Sequence, residues 1–66
     1  MKLMVNGKAV IVEGDTTVSD LLLSYKLNAD TVIVALNDTV IQRGAWQMTP
    51  VSEGDTIEIV SLVGGG

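Results

Sequence analysis

Residues 1–13 of the chain, MKLMVNGKAVIVE, decide how the fold begins. Residues 1–5 alternate, with Leu3 and Val5 on one face and Lys2 and Met4 on the other, and residues 8–13 follow the dipeptide Asn6-Gly7 as the return strand. Asn-Gly favours a type I′ hairpin turn, because both of its residues tolerate a positive φ. A two-residue turn fixes the pairing of the two runs, whereas a bulged turn, the alternative, would shift it. The stretch predicts an antiparallel hairpin with two core-facing pairs, Leu3 with Val10 and Met1 with Val12.

The segment after the hairpin has the pattern of a short amphipathic helix. Thr17 is a good N-cap, and Asp20 stands three residues on, where it can complete a capping box and where the helix dipole favours a negative charge. Apolar residues then recur at i, i+3, i+4 and i+7, which makes one stripe on a helix. We predict a helix over residues 17–25 that packs on the hairpin through Val18, Leu21, Leu22 and Tyr25.

Three further strands are predicted in the second half of the chain: Thr31 to Leu36, Thr39 to Ile41, and Thr56 to Leu62. The first two are separated by a turn at Asn37-Asp38, and another turn at Glu53-Gly54-Asp55 precedes the third.

The stretch 42–53 lacks a clear period, and we expect it to be a connector with one helical turn near Trp46. We expect Trp46 itself to cap the core rather than contact a partner. The elements follow the order ββαβββ, which predicts an α+β fold, a mixed sheet with one helix packed on one face. We place this domain at residues 1–63 and a flexible glycine tail at 64–66.

Composition excludes most classes of enzyme. A chain of 66 residues fits one domain, which buries only roughly 60% of the surface that it exposes when unfolded. The sequence contains no Cys and no His, so thiolate chemistry, disulfides, zinc sites and the commonest general base are ruled out. The carboxylates are scattered without the spacing of a calcium loop. We therefore expect no catalytic side chain, no metal site and no bound cofactor.

The charge balance excludes nucleic acid as a partner. Eight acidic residues against four basic ones give a net charge of −4, and nucleic-acid binding depends on basic side chains that neutralise phosphates. The sequence also lacks a membrane-spanning apolar run and the layout of a signal peptide. We expect a cytoplasmic protein that does not bind membranes and is a monomer when free.

The end of the sequence is the run Val63-Gly64-Gly65-Gly66. Glycine lacks a Cβ, so such a segment can thread a narrow cleft and leaves the terminal carboxylate unhindered. A frayed end or a cloning scar is the alternative explanation. On the first explanation, Gly64 and Gly65 enter a partner and the carboxylate of Gly66 is left accessible to it.

Six stretches spread over the whole chain resemble one protein family: Val5-Asn6-Gly7, Thr17-Val18 with Leu21-Leu22, Val34-Ala35-Leu36-Asn37, Arg43 with Trp46, Gly54-Asp55 with Ile57-Glu58-Ile59, and the terminal Val63-Gly64-Gly65-Gly66. In this order, they resemble the ubiquitin-like (β-grasp) carriers, and among those the sulfur carriers of thiamine biosynthesis, the ThiS family. The chain departs at Gln42, where the family often has proline, and at Gly44-Ala45, where a bulkier polar pair is usual. The family's partner contacts are therefore not carried over to residues 42–46.

The resemblance implies a chemistry for the tail. A ThiF-like adenylating enzyme would use ATP to convert the Gly66 carboxylate to an acyl adenylate. Sulfur from a cysteine-derived persulfide would displace AMP and leave a thiocarboxylate. A ThiG-like thiazole synthase would then receive the sulfur, so that the chain is a co-substrate and not an enzyme.

Strand alternation suggests where such partners dock. If Val34, Leu36, Ile57 and Ile59 face the helix, alternation puts their neighbours on the open face of the sheet. An apolar patch on a small protein usually marks a contact site. We predict that both partners dock on Ile33, Ala35, Glu58 and Val60.

Three other functions stay open on the sequence alone. A molybdopterin-synthase sulfur carrier (MoaD-like) shares the chemistry, although those chains tend to be longer and have a bulky segment before the glycines. A ubiquitin-like modifier would join Gly66 to a lysine of a target protein. A plain β-grasp binding module would leave the tail unused.

Overall fold

The computed structural model of the chain describes residues 1–62 and shows a five-stranded sheet with a helix packed on one face. The strands are β1 Lys2–Val5, β2 Lys8–Ile11, β3 Val32–Leu36, β4 Thr39–Ile41 and β5 Thr56–Ser61; the α-helix is α1 Val18–Ser24, and 3-10 helices span Ala29–Thr31 and Arg43–Met48. The order across the sheet is β2-β1-β5-β3-β4. β1 runs parallel to β5, and the other neighbours are antiparallel. The predicted ββαβββ order and mixed α+β sheet are confirmed.

The first hairpin has the predicted turn and register. Asn6 has φ 50° and Gly7 has φ 82°, the left-handed values that a type I′ turn requires. Leu3 pairs with Val10. The Val12 N–H donates to the Met1 carbonyl at 2.8 Å, which continues the same pairing by two residues. The alternative register of a bulged turn is therefore excluded.

Helix α1 begins with the predicted capping box. The Asp20 N–H donates to Thr17 Oγ1 at 3.2 Å, and the Thr17 N–H donates to Asp20 Oδ2 at 3.1 Å. Thr17 and Tyr25 are the caps, so the predicted helix over 17–25 corresponds to Val18–Ser24 with its two flanking residues. Each bond satisfies an N–H at the start of the helix, which explains why so short a helix begins there.

The predicted stripe on α1 is wrong in its last member. Val18, Leu21 and Leu22 are buried, but Tyr25 is 41% exposed. The helix stops at Ser24, and Lys26 turns the chain into the left-handed region with φ 57°. Tyr25 therefore lies where the chain leaves the helix, and its side chain remains outside the core.

The second half of the chain differs from the prediction only in detail. β3 starts at Val32 instead of Thr31, because a 3-10 helix over Ala29–Thr31 ends there. The Asn37-Asp38 turn is present, with φ 50° and 71°. The connector contains a 3-10 helix of six residues, Arg43–Met48, which is longer than the single turn expected near Trp46.

The core lies between helix α1 and the inner face of the sheet. Trp46 is buried in it, and its Nε1–H donates to the Ile41 carbonyl at 3.0 Å, so its predicted role in the core is confirmed. A buried indole N–H needs such a partner, and the bond fixes the connector against β4. The buried apolar residues are Leu3, Val5, Val18, Leu21, Leu22, Val32, Val34, Trp46, Val51 and Ile57.

The predicted tail, residues 64–66, lies outside the described residues. The same holds for the predicted domain boundary after residue 63, which stays a prediction.

Candidate functional site

The central strand β5 leads to the C-terminal segment. It lies between β1 and β3, and its pairing with β3 extends to Val32 opposite Ser61. The Leu62 N–H then donates to the Thr31 carbonyl at 2.6 Å. The chain is thus held against the start of β3 up to Leu62, the last residue before the sequence Val63-Gly64-Gly65-Gly66.

The four residues predicted for docking form two directly opposed pairs on neighbouring strands. Ile33 pairs with Val60, and Ala35 pairs with Glu58. Ile33 is 41% exposed, Val60 is 56% exposed, and Glu58 is exposed as well, whereas Ala35 is half-buried. Their strand neighbours Val34 and Ile57 are fully buried, so these four residues lie on the face away from the helix. Their role in docking stays a prediction.

Val40 belongs to the same surface and was not predicted. It pairs with Ala35 from the edge strand β4 and is 58% exposed. The signal was available, since the alternation of Thr39 to Ile41 puts Val40 on the side opposite to Ile41. We call the set Ile33, Ala35, Val40, Glu58 and Val60 the open-face patch. It is apolar apart from Glu58, and Val60 is only two residues before Leu62.

A depression of about 330 Å³ adjoins the open-face patch. Arg43 stands at this depression, and its guanidinium pairs with the carboxylate of Asp30. The depression shares Ile33 and Val40 with the patch, so one partner could cover both surfaces. Its lining residues are Val32, Ile33, Val40, Ile41, Gln42, Arg43 and Trp46.

The side chains of the described part of the chain offer no built metal site. No group of three or more potential ligands is placed to hold a metal ion in residues 1–62. Over the same residues, no helix has the length and apolar character needed to cross a bilayer. What the described residues do present is a held strand end beside an exposed apolar surface.

Comparison with known proteins shows to which family the chain belongs. The family model described as the ThiS family matches residues 3–66.

The chain belongs to the ThiS family.

The ThiS assignment is supported over almost the whole chain. The sulfur carrier protein ThiS of Bacillus subtilis (strain 168) is 43% identical over 65 residues, which cover 97% of this chain and 98% of the relative. The crystal structure of the thiamine biosynthesis protein ThiS from Geobacter metallireducens superimposes with a TM-score of 0.85 at 40% identity, and each chain is fully covered. The predicted family and the β-grasp fold are confirmed. The family is one of carriers, so the prediction that the chain is not an enzyme is confirmed as well.

ThiS-like sequence also occurs inside larger proteins. The thiazole synthase of Magnetococcus marinus is 35% identical to the whole of this chain, which corresponds to 20% of that protein. The thiazole synthase of Paramagnetospirillum magneticum matches in the same way, at 32% identity. In both cases, a segment similar to this chain is part of a chain that bears the name of the synthase.

Proposed function

We propose that this chain carries sulfur as a thiocarboxylate on Gly66 and delivers it for thiazole formation in thiamine biosynthesis. The observation that carries the proposal is that the ThiS family match extends through residue 66 and so includes all three glycines of the tail. Glycine has no side chain that could fill a core, whereas a reaction at a terminal carboxylate needs an unhindered approach.

Activation is the first step of the proposed chemistry. A carboxylate is a poor electrophile, so a ThiF-like enzyme joins a carboxylate oxygen of Gly66 to the α-phosphorus of ATP and releases pyrophosphate. The product is a mixed anhydride with AMP. ATP and the sulfur donor are used by the partner enzyme, and this chain holds neither of them. The proposal places the reaction in the cytoplasm, where ATP is available.

Sulfur transfer is the second step. The terminal sulfur of a persulfide attacks the activated carbonyl carbon, and AMP leaves. A thiol then cleaves the sulfur–sulfur bond and releases the thiocarboxylate on Gly66. The sequence offers no Cys on this chain that could take part, so the persulfide and the reducing thiol both come from other molecules.

The proposed acceptor enzyme is a ThiG-like thiazole synthase. The two thiazole synthases that contain a segment similar to this chain support this partner, because a carrier and its acceptor work together when one polypeptide holds both. No such observation favours molybdopterin synthase or a target lysine.

The open-face patch is the proposed docking surface for both partners. It combines Ile33, Val40 and Val60 with the strand that leads to the tail. Exposed apolar surface on a small protein is typical of a contact site. An enzyme bound there lies beside the end of β5, so its active site can receive Gly64, Gly65 and Gly66.

Deletion of Gly65-Gly66 tests the proposal. The activating enzyme should release pyrophosphate from ATP when it is given the full chain, and it should release none when it is given the shortened chain. The melting temperature should be nearly the same for both chains, since the deleted residues follow the last strand. A shortened chain that is still adenylated would refute the role of Gly66, and a large loss of stability would show that the tail is structural.

A further inference from the structure

Strand β5 is supported unequally by its two neighbours. β3 pairs with it from Leu36 opposite Ile57 to Val32 opposite Ser61. β1 pairs with it only through Met4–Thr56 and Val5–Ile57, because β1 ends at Val5 and the chain turns away at Asn6-Gly7. The ladder between β1 and β5 therefore stops before Ile59, on the way to the C-terminal segment.

Beyond the end of β1, the side chain of Asn6 forms hydrogen bonds with the backbone of β5. Its Oδ1 accepts from the Ile59 N–H at 2.7 Å, and its Nδ2 donates to the Ile59 carbonyl at 3.2 Å. The Asn6 backbone N–H also donates to the Ile57 carbonyl at 2.9 Å. The carboxamide thus gives Ile59 a donor and an acceptor, as the backbone of a longer β1 would. Asn6 also supplies the left-handed first residue of the turn, with φ 50°.

We infer that Asn6 is a positioning residue for the reaction at the tail: it fixes the direction in which β5 carries the C-terminal segment towards an enzyme docked on the open-face patch. This inference rests on the proposed function. Ile59 lies between Glu58 and Val60 of the patch, so the bond joins the docking surface to the strand end. Reaction rates fall steeply when a reacting group is misplaced, even when the residue responsible is remote from the chemistry.

Asn37 provides a matched control within the same molecule. It too is the first residue of a turn, with φ 50°, and its side chain also bonds to β5. Its Oδ1 accepts from the Thr56 N–H at 3.0 Å, and its N–H donates to the Thr56 carbonyl at 2.8 Å. Thr56 is the first residue of β5, at the end remote from the tail. Loss of this side chain should weaken β5 without redirecting its C-terminal end.

The experiment compares Asn6→Gly with Asn37→Gly. Glycine accepts the left-handed backbone at both positions, so each variant loses the side-chain bonds and keeps the turn. Pyrophosphate release by the activating enzyme is measured with the carrier as the varied substrate, and thermal melts are recorded in parallel. We expect similar losses of melting temperature. We expect kcat to fall roughly tenfold for Asn6→Gly alone, with KM within about twofold of wild type, because the patch is intact.

A third variant, Asn6→Asp, distinguishes the loss of the side-chain bonds from a folding defect. Asp-Gly forms the same turn, and a carboxylate oxygen can still accept from the Ile59 N–H, but the donor to the Ile59 carbonyl is lost. We expect its kcat to lie between those of wild type and Asn6→Gly.

The outcomes separate the two claims. Equal kcat values for the two glycine variants, or a raised KM in place of a lowered kcat, would overturn the positioning role while wild type remains active. If wild type itself releases no pyrophosphate, the proposed function fails, and the inference about Asn6 fails with it.

Discussion

Strands β3 and β5 present the same kinds of side chain to two different environments. On the face covered by helix α1, Val34 and Ile57 are both 0% exposed. On the opposite face, Ile33 and Val60 are 41% and 56% exposed. Alternation along a strand separates the two sets, but both are apolar and β-branched. Composition therefore does not distinguish the core from an exposed surface here; the difference is that helix α1 covers only one face of the sheet.

The covered face should respond to truncation with the largest loss of stability. Ile57→Ala removes a fully buried side chain, and such a change typically costs about 2–5 kcal/mol in the free energy of unfolding. That is a large share of the ~5–15 kcal/mol that stabilises a typical domain. Urea denaturation of wild type and variant measures the loss. A loss below about 1 kcal/mol would mean that the covered face is not the main core.

The open face should respond to a new charge with a loss of binding. Val60→Asp puts a carboxylate opposite Ile33 in the open-face patch, and we expect at least about tenfold weaker binding to the activating enzyme. The cost in stability should be about 1 kcal/mol or less, the range of strand preferences for a solvent-facing position. Calorimetric titration and urea denaturation give the two values. Unchanged binding by a folded variant would show that the partner docks elsewhere.

Ile11→Asp is the matched control for that variant. Ile11 is 74% exposed and pairs with Lys2, on the same open face but on the edge strand β2. The substitution adds the same charge outside the patch. We expect binding near that of wild type, and an equal loss in both variants would mean that net charge, not the patch, determines affinity.

The smallest effect should come from the cap of the helix that covers one face. Thr17→Ala removes the side-chain acceptor for the Asp20 N–H and should cost about 1 kcal/mol of stability. Binding to the activating enzyme should not change, since Thr17 is not part of the open-face patch. The same titration measures it, and weaker binding would indicate that the helix side also contacts the enzyme.

Local patterns predicted much of this fold. The two-residue turn at Asn6-Gly7 determines the pairing of Leu3 with Val10. The capping-box residues Thr17 and Asp20 indicate where α1 begins. These features depend on residues close together in the sequence, which is why the sequence alone reveals them.

Features that depend on distant residues could not be predicted. The opposition of Ile33 and Val60 needs the register between β3 and β5, which no local turn determines. The bonds between Asn6 and Ile59 join residues 53 positions apart in the chain. The sequence thus predicted which face of the sheet carries the site. It did not predict which residues of β3 and β5 lie opposite each other, or that Asn6 bonds to β5.

The most direct test is the intact mass of the chain after reaction with the activating enzyme, ATP, a persulfide donor and a reducing thiol. We expect the mass to rise by the difference between sulfur and oxygen, with the change located in the peptide that carries Gly66 and no gain on any side chain. Without the sulfur donor, the reaction should stop at the adenylate. A parallel reaction replaces the donor with a lysine-bearing target protein. An isopeptide that forms readily there, while the thiocarboxylate never appears, would contradict the sulfur-carrier account and identify the chain as a modifier.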